Sequence, residues 1–252
     1  MRYKGALDII RFNLPAYLVA IVLIFVSSAL IVTSSNGILK IAFVCIFAIS
    51  CFWFVSSIIA SHWIYDRCPL SRWMWLSQCF PSSPEKWLSI HAGFDETVSL
   101  RKFFQDDQGI SVDIFDARIM TESSIVRARK TMKRSLPSIR TGLALFPFRE
   151  NSIDAAFLIF CFHEVRSAEA RSRLLIELNR ILKPGGSLIV LEHGRNLANF
   201  AAFGPGCFHF LPYSVWFELA DKAGLHFRNE IRFTPFVKAL FFKVEKEAMH
   251  AA

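Results

Sequence analysis

Five side chains able to move a proton or steer one stand close together in the second half of the chain. They are His163 with Glu164, Glu192 with His193, and His209 downstream. Histidine changes charge nearest neutral pH, so each imidazole is a candidate general base. Glu164 or Glu192 could orient one of the rings. Such a set suits removal of a proton from a hydroxyl or an enol. Cys161 adds a thiol two residues before His163.

These residues need elements that bring them together. Asp154–Phe162 is a short, almost wholly apolar run, as expected of a strand buried on both faces. Ser167 offers an N-cap, with Glu169 in the first turn. Ala170, Leu174, Leu175, Leu178 and Leu182 follow at helical spacing. Pro184-Gly185-Gly186 stops that helix, and Ser187–Leu191 is a second buried strand ending in Glu192-His193. Strand, helix, turn, strand predicts a parallel βαβ unit. Ligands of such sheets bind beyond the carboxyl ends of the strands, where Cys161, His163, Glu164, Glu192 and His193 fall.

The text FPFRENSIDAAFLIFCFHEV…ILKPGGSLIVLEH, from Phe146 to His193, resembles the second half of the class I S-adenosylmethionine (SAM) dependent methyltransferases. The resemblance extends more weakly over about Glu85–Lys246 and leaves out the first third of the chain. It implies a Rossmann-like α/β fold. The sheet would be seven-stranded and mostly parallel, closed by an antiparallel hairpin over Leu225–Phe233 and Val237–Val244. The remaining strands are expected at Lys86–Ala92, Gly109–Phe115 and Ser138–Ala144, and a helix at Tyr213–Ala223 closed by Gly224.

The resemblance also implies a cofactor, SAM, and residues to hold it. The family continues its first strand with an acidic residue and a G-x-G-x-G loop. Here Ser89 replaces the acid, Gly93 alone keeps a glycine, and His91 and Asp95 stand at the outer glycine positions. His91, Gly93, Phe94 and Asp95 are the loop residues assigned to the cofactor. Asp95 or Glu96 could meet the cationic end of SAM, or serve as acids at a helix N-terminus. Asp113, at the end of the second strand with Ile114, matches the acid that takes the ribose diol; Asp116 is the alternative. Leu143 would touch the adenine ring, and Cys161 completes the set. A phenol or enol acceptor requires a base, for which His163, His193 and His209 are the candidates, with Glu192 as an orienting carboxylate.

The first third has a different character. The chain has 252 residues, 53% hydrophobic and 20% charged. Phe12–Leu39 carries no charge, and Ile41–Tyr65 carries only His62. Each run exceeds the roughly 20 apolar residues that span a bilayer. We expect a membrane hairpin, Leu14–Thr33 and Ile41–Ser61, turning at Ser34-Ser35-Asn36-Gly37. A signal peptide is disfavoured by the length of the first run and by the second span behind it. Arg2, Lys4 and Arg11 before the pair, and Arg67 and Arg72 after it, place both termini and the α/β domain on the cytoplasmic side of an inner membrane. The domains are thus read as 1–65 hairpin, 66–85 interfacial segment and linker, and 86–252 α/β domain. Trp63, Tyr65, Trp73 and Trp75 would lie at headgroup level, and Gly194–Pro212 would cover the acceptor as an apolar lid.

Net charge +8 fits an anionic leaflet better than nucleic acid. Arg127, Arg129, Lys130, Lys133 and Arg134 form its densest cluster, read as a solvated helix face. Six scattered cysteines form no C-x-x-C pair, so no zinc ribbon, disulfide framework or metal site is expected. Two functions compete. One is a membrane-anchored methyltransferase for a lipophilic small molecule: a hydroxylated aromatic, a quinone precursor or a lipid. The other is a catalytically inactive relative that serves as a scaffold for partner enzymes of a pathway.

Overall fold

The computed structural model describes residues 3–80, 82–106, 108–131 and 137–245. Expectations that fall on Arg2, Pro81, Met132, Lys133, Arg134 and the tail beyond Glu245 lie outside the described residues. The chain forms two compact units, Met1–Cys68 with Asn196–Phe208, and Pro69–Arg195 with His209–Ala252.

The first unit holds α1 (Lys4–Phe12), α2 (Leu14–Thr33) and α3 (Gly37–His62). Asn36 caps α3 by accepting from the Ile38 and Leu39 N–H groups. Both long helices are apolar all round, and most of their side chains face outward, including Phe25, Val32, Ile38 and Ile41. They are long and apolar enough to cross a membrane. The short α1 was not foreseen; Asp66 holds its start by accepting from Gly5 N at 2.7 Å and Ala6 N at 3.1 Å. The same unit includes α7 (Leu197–Phe203). Ser56 on α3 donates to the Ala202 carbonyl at 2.9 Å, and the Trp53 and Phe200 rings meet edge-on at 5.9 Å. Within the Gly194–Pro212 segment read as an acceptor lid, Leu197–Phe203 is therefore a short helix packed on α3.

The second unit is a seven-stranded sheet with β1 (Trp87–His91), β2 (Ile110–Asp113), β3 (Ile139–Arg140), β4 (Ile153–Ile159), β5 (Leu182–His193), β6 (Leu225–Arg232) and β7 (Val237–Val244). Its order is β3-β2-β1-β4-β5-β7-β6. The first five strands run parallel, while β7 pairs antiparallel with both β5 and β6. Between the strands lie α4 (Thr97–Phe104), α5 (Ser123–Thr131), α6 (Ala168–Ile181) and α8 (Tyr213–Lys222). Ser167 accepts from Ala170 N as the cap of α6, and Gly224 takes φ +74° just past α8. The core gathers Leu174, Leu175 and Leu178 of α6 against Leu158, Leu188 and Val190 of the sheet.

Three expectations shift. The strand predicted over Ser138–Ala144 is two residues long. The helix predicted to stop at Pro184 ends at Ile181, and β5 already begins at Leu182. Trp73 and Trp75, assigned to the membrane interface, are buried in the α/β unit, where the Trp75 ring meets Phe233 at 5.1 Å and Phe241 at 6.0 Å. Packing demand explains this: an indole buries a large apolar area once a cavity fits it.

Gly109, ahead of β2, has no room for a side chain: a Cβ there would stand 2.1 Å from Cζ2 of Trp87. Gly109→Ala should therefore destabilise the α/β unit by about 1–3 kcal/mol through overpacking. Chemical denaturation in detergent checks this, and unchanged stability would mean the ring moves freely.

Candidate active site

The chain runs outward from β1 to β3 and returns to β4, so the order reverses between β1 and β4. In a doubly wound sheet that crevice, at the carboxyl ends of the strands, is where ligands sit. The tips here carry His91 (β1), Asp113 (β2), the Cys161–Glu164 turn after β4, and Glu192-His193 (β5). Phe160 has φ +47°, a left-handed conformation costly for a bulky residue, and it bends the chain over the tips.

Glu192 organises this edge. Its Oε1 accepts from Phe162 N at 2.9 Å, and its Oε2 lies 2.6 Å from His163 Nδ1. Glu164 Oε1 lies 3.5 Å from His163 Nε2 and 3.7 Å from His209 Nε2. The His163 and His209 rings meet edge-on at 4.8 Å. Burial alone would lower the His163 pKa, but the Glu192 charge and the hydrogen bonds to Glu164 and Glu192 lift it to about 10. Burial would raise Glu164, yet hydrogen bonds from His163 and then His209 bring it down to about 2. His163 is thus a buried cation between two carboxylates at neutral pH.

The other residues named from sequence divide clearly. His193 is buried, stacks on Phe210 at 4.6 Å and meets the Phe160 ring at 5.2 Å, and both contacts are those of packing. Cys161 donates to the Ile90 carbonyl at 3.2 Å, and burial pushes its thiol pKa well above the usual value, which leaves it inert. Ile114 and Leu143 are buried in the hydrophobic core, with Phe94 packed against it. His91 turns towards Ser111 at 3.0 Å and Ser138 at 3.3 Å. Asp95 accepts from Thr97 N at 2.9 Å, from the Thr97 hydroxyl, and from Ser111 at 2.8 Å. It serves the start of α4, the second of the two roles open to it from sequence.

Asp113 sits at the tip of β2, in register with His91. Both its oxygens are taken by Arg129 of α5, through Nη1 at 2.9 Å and Nη2 at 2.8 Å. Arg129 also donates to the Ala92 carbonyl at 2.6 Å, and its Cγ would lie 2.8 Å from a Cβ at Gly93. Burial would raise the Asp113 carboxyl, but the Arg129 hydrogen bonds outweigh it and hold the pKa below the ordinary aspartate value. Arg129, read from sequence as part of a solvated basic face, is therefore a site residue. Its spacing four residues after the buried Ile125 was the available signal.

The residues fit a diol-bearing cofactor in donor chemistry. Asp113 already accepts two parallel N–H bonds, the pattern that two vicinal hydroxyls would present. The Arg129 side chain would have to rotate away.

The strand order β3-β2-β1-β4-β5-β7-β6, with five parallel strands and an antiparallel pair at one end, defines a doubly wound α/β fold. Residues 100–190 match the family model described as a methyltransferase domain. The chain is 33% identical over 122 residues to a demethylmenaquinone methyltransferase of Symbiobacterium thermophilum, across 47% of this chain and 46% of that protein. The chain thus spans about half the length of this curated relative. It is also similar to a SAM dependent methyltransferase from Aquifex aeolicus, at 16% identity and TM-score 0.48, over 64% of this chain and 82% of that one. Another likeness is to the 1,6-didemethyltoxoflavin-N1-methyltransferase of Burkholderia thailandensis, at 12% identity and TM-score 0.46, over 71% and 77% of the two chains.

Because the folded pKa of His163 lies above its unfolded value of about 6.5, its pairing stabilises the fold fully below that pH. The contribution is lost as pH rises through about 10. Replacing His163 by Leu leaves two buried carboxylates without their cation and should cost about 3–5 kcal/mol at pH 7. Unfolding measured between pH 6.5 and 10 should show the variant losing the wild-type decline; parallel curves would refute the pairing.

Proposed function

We propose that the protein is a membrane-anchored methyltransferase that uses SAM to methylate an oxygen or acidic carbon on a lipophilic, hydroxylated small molecule. The observation that carries this reading is the buried Glu192–His163–Glu164 array at the carboxyl edge of a class I methyltransferase sheet. SAM, when bound, supplies a methyl group already activated on a sulfonium. The chain's own residues then have two tasks, to orient partners and to manage one proton. Asp113 would accept from the ribose hydroxyls once Arg129 has turned aside. Glu192 and Glu164 hold the His163 imidazolium in place, where it would stabilise the acceptor's oxyanion, and the neighbouring His209 would receive the proton.

The substrate class rests on apolarity. The α2–α3 hairpin presents Phe25, Val32, Ile38 and Ile41 outward, a surface that lipid accommodates and water does not. The apolar α7 belongs to that same unit. The demethylmenaquinone named for the relative makes a quinone-type acceptor a natural member of this class. Flanking Lys4, Arg11, Arg67 and Arg72 support a cytoplasmic α/β domain. Alkaline phosphatase fused after Tyr65 should therefore stay inactive, and strong periplasmic activity would overturn that placement.

A second reading, the inactive scaffold, is favoured by one observation, the Arg129 guanidinium over Asp113. Calorimetric titration of the detergent-solubilised chain with S-adenosylhomocysteine separates the two. Arg129→Ala should raise affinity several-fold by removing a competitor, and Asp113→Ala should abolish binding. If neither the wild type nor Arg129→Ala binds near millimolar, the scaffold reading stands. Equal loss in both variants would make Arg129 a cofactor ligand instead.

A further inference from the structure

His163, Glu164 and His209 each offer one ligand atom, and these atoms lie within 4.8 Å of one another. We propose that they form a binding site for a zinc-type divalent cation, which departs from the sequence expectation of no metal. Two imidazoles and one carboxylate match the ligand preferences of zinc and its d-block neighbours and leave a coordination position open, the ion taking the place of the proton that His163 Nε2 carries in the metal-free protein. Donor atoms bound at about 2.0–2.1 Å in a tetrahedron are separated by about 3.4 Å. The two edges that meet at Glu164 Oε1 measure 3.5 Å to His163 Nε2 and 3.7 Å to His209 Nε2. The third edge, within 4.8 Å, closes with a shift of up to about 1.4 Å in His209, the least buried of the three.

The surroundings of the cluster support the same assignment. A histidine that binds a metal through one nitrogen typically donates its other N–H to a carboxylate or carbonyl. Both rings are held in this way. His163 Nδ1 lies 2.6 Å from Glu192 Oε2, and His209 Nδ1 lies 3.3 Å from Glu122 Oε1. In each case the remaining nitrogen, Nε2, is the one that faces Glu164 Oε1. Arg166 stands 3.5 Å from His209 Nδ1 and donates to the His209 carbonyl at 2.8 Å, which pins that residue's backbone. Glu164 is 4% exposed, and its Oε2 has no hydrogen-bond partner among the described residues. A cation held by both carboxylate oxygens would satisfy this buried Oε2 as well as Oε1.

The cation would sit where the proposed function needs an acceptor hydroxyl held and polarised, and its open position suits an oxygen ligand. That use rests on the methyltransferase reading; the binding itself does not. The test uses the tag-free full chain in detergent, without cofactor, loaded with Zn²⁺ or Co²⁺ and dialysed. Metal analysis should give one ion per chain, and the cobalt form should show the visible absorption of low-coordinate nitrogen and oxygen ligation. Glu164→Gln and His209→Ala should each weaken binding at least tenfold, and Glu192→Gln should weaken it about 10–100-fold as a supporting residue. His209→Ala removes a partly exposed ring, so it keeps the test open if buried variants fail to fold. No retained metal, undiminished binding in Glu164→Gln and His209→Ala, or a sulfur-to-cobalt charge-transfer band would each overturn the site. Titration with S-adenosylhomocysteine is independent of all three outcomes, so failure of the metal site and failure of the enzyme reading can be told apart.

Discussion

The carboxylate of Glu192 is the constraint around which the functional edge is arranged. It is fully buried at the tip of β5, and it holds both the Phe162 amide and the His163 ring. A buried carboxylate must find donors, and the loop after β4 is where they are. Satisfying Glu192 therefore fixes the path of the Cys161–Glu164 turn, and with it the direction of His163. Tyr213, at the start of α8, adds a hydrogen bond to the Glu192 carbonyl at 3.2 Å, so the opening of the last βαβ segment is tied to the same point. The Tyr213 hydroxyl is itself held neutral, since burial and then the Glu192 charge raise its pKa.

A second charged pair does comparable work on the other side of the crevice. Asp113 would be an expensive buried anion if left alone, and Arg129 offsets that cost with two parallel hydrogen bonds. The guanidinium also lies over the Phe115 ring at 4.2 Å. Its planar fork suits both contacts, as a lysine would not. Arg129 also donates to the Ala92 carbonyl, and its stem lies against Gly93 in the loop after β1. The donor pattern that a diol would present is supplied internally. The same side chain thus preserves the fold of the edge and competes for its most characteristic acceptor.

The apolar unit contributes differently. Its long helices carry caps such as Asn36, hydroxyls that bond back to their own helix, such as Ser27 to the Leu23 carbonyl, and a contact between the two in which Tyr17 meets Ser57 and Ser61. Such helices satisfy their backbone internally and leave apolar side chains facing outward, an arrangement that lipid would accommodate. The covalent path enters this unit a second time at Asn196 and leaves it at Phe208. The stretch between the Glu192-His193 tip and His209 is therefore built on α3, and His209 follows directly from it.

Much of the architecture was legible in the order of residues. Continuous apolar runs marked β4 and β5 because strands buried on both faces need no alternation, and length alone separated the two long helices from core segments. Ser167 and Gly224 marked helix ends through local hydrogen bonding and backbone freedom, which are properties of a few consecutive residues. The gathering of His163, Glu164 and Glu192 at one edge followed from the βαβ rule. What the sequence left open depended on contacts between distant residues. Whether Asp95 meets a ligand or a helix start, whether Trp75 faces lipid or Phe233, and whether Arg129 faces water or Asp113 are each decided by which group reaches which in space. Composition and spacing record only what each residue is able to do. The fold chose among those options, because burial makes a charge or an indole take the partner nearest to it.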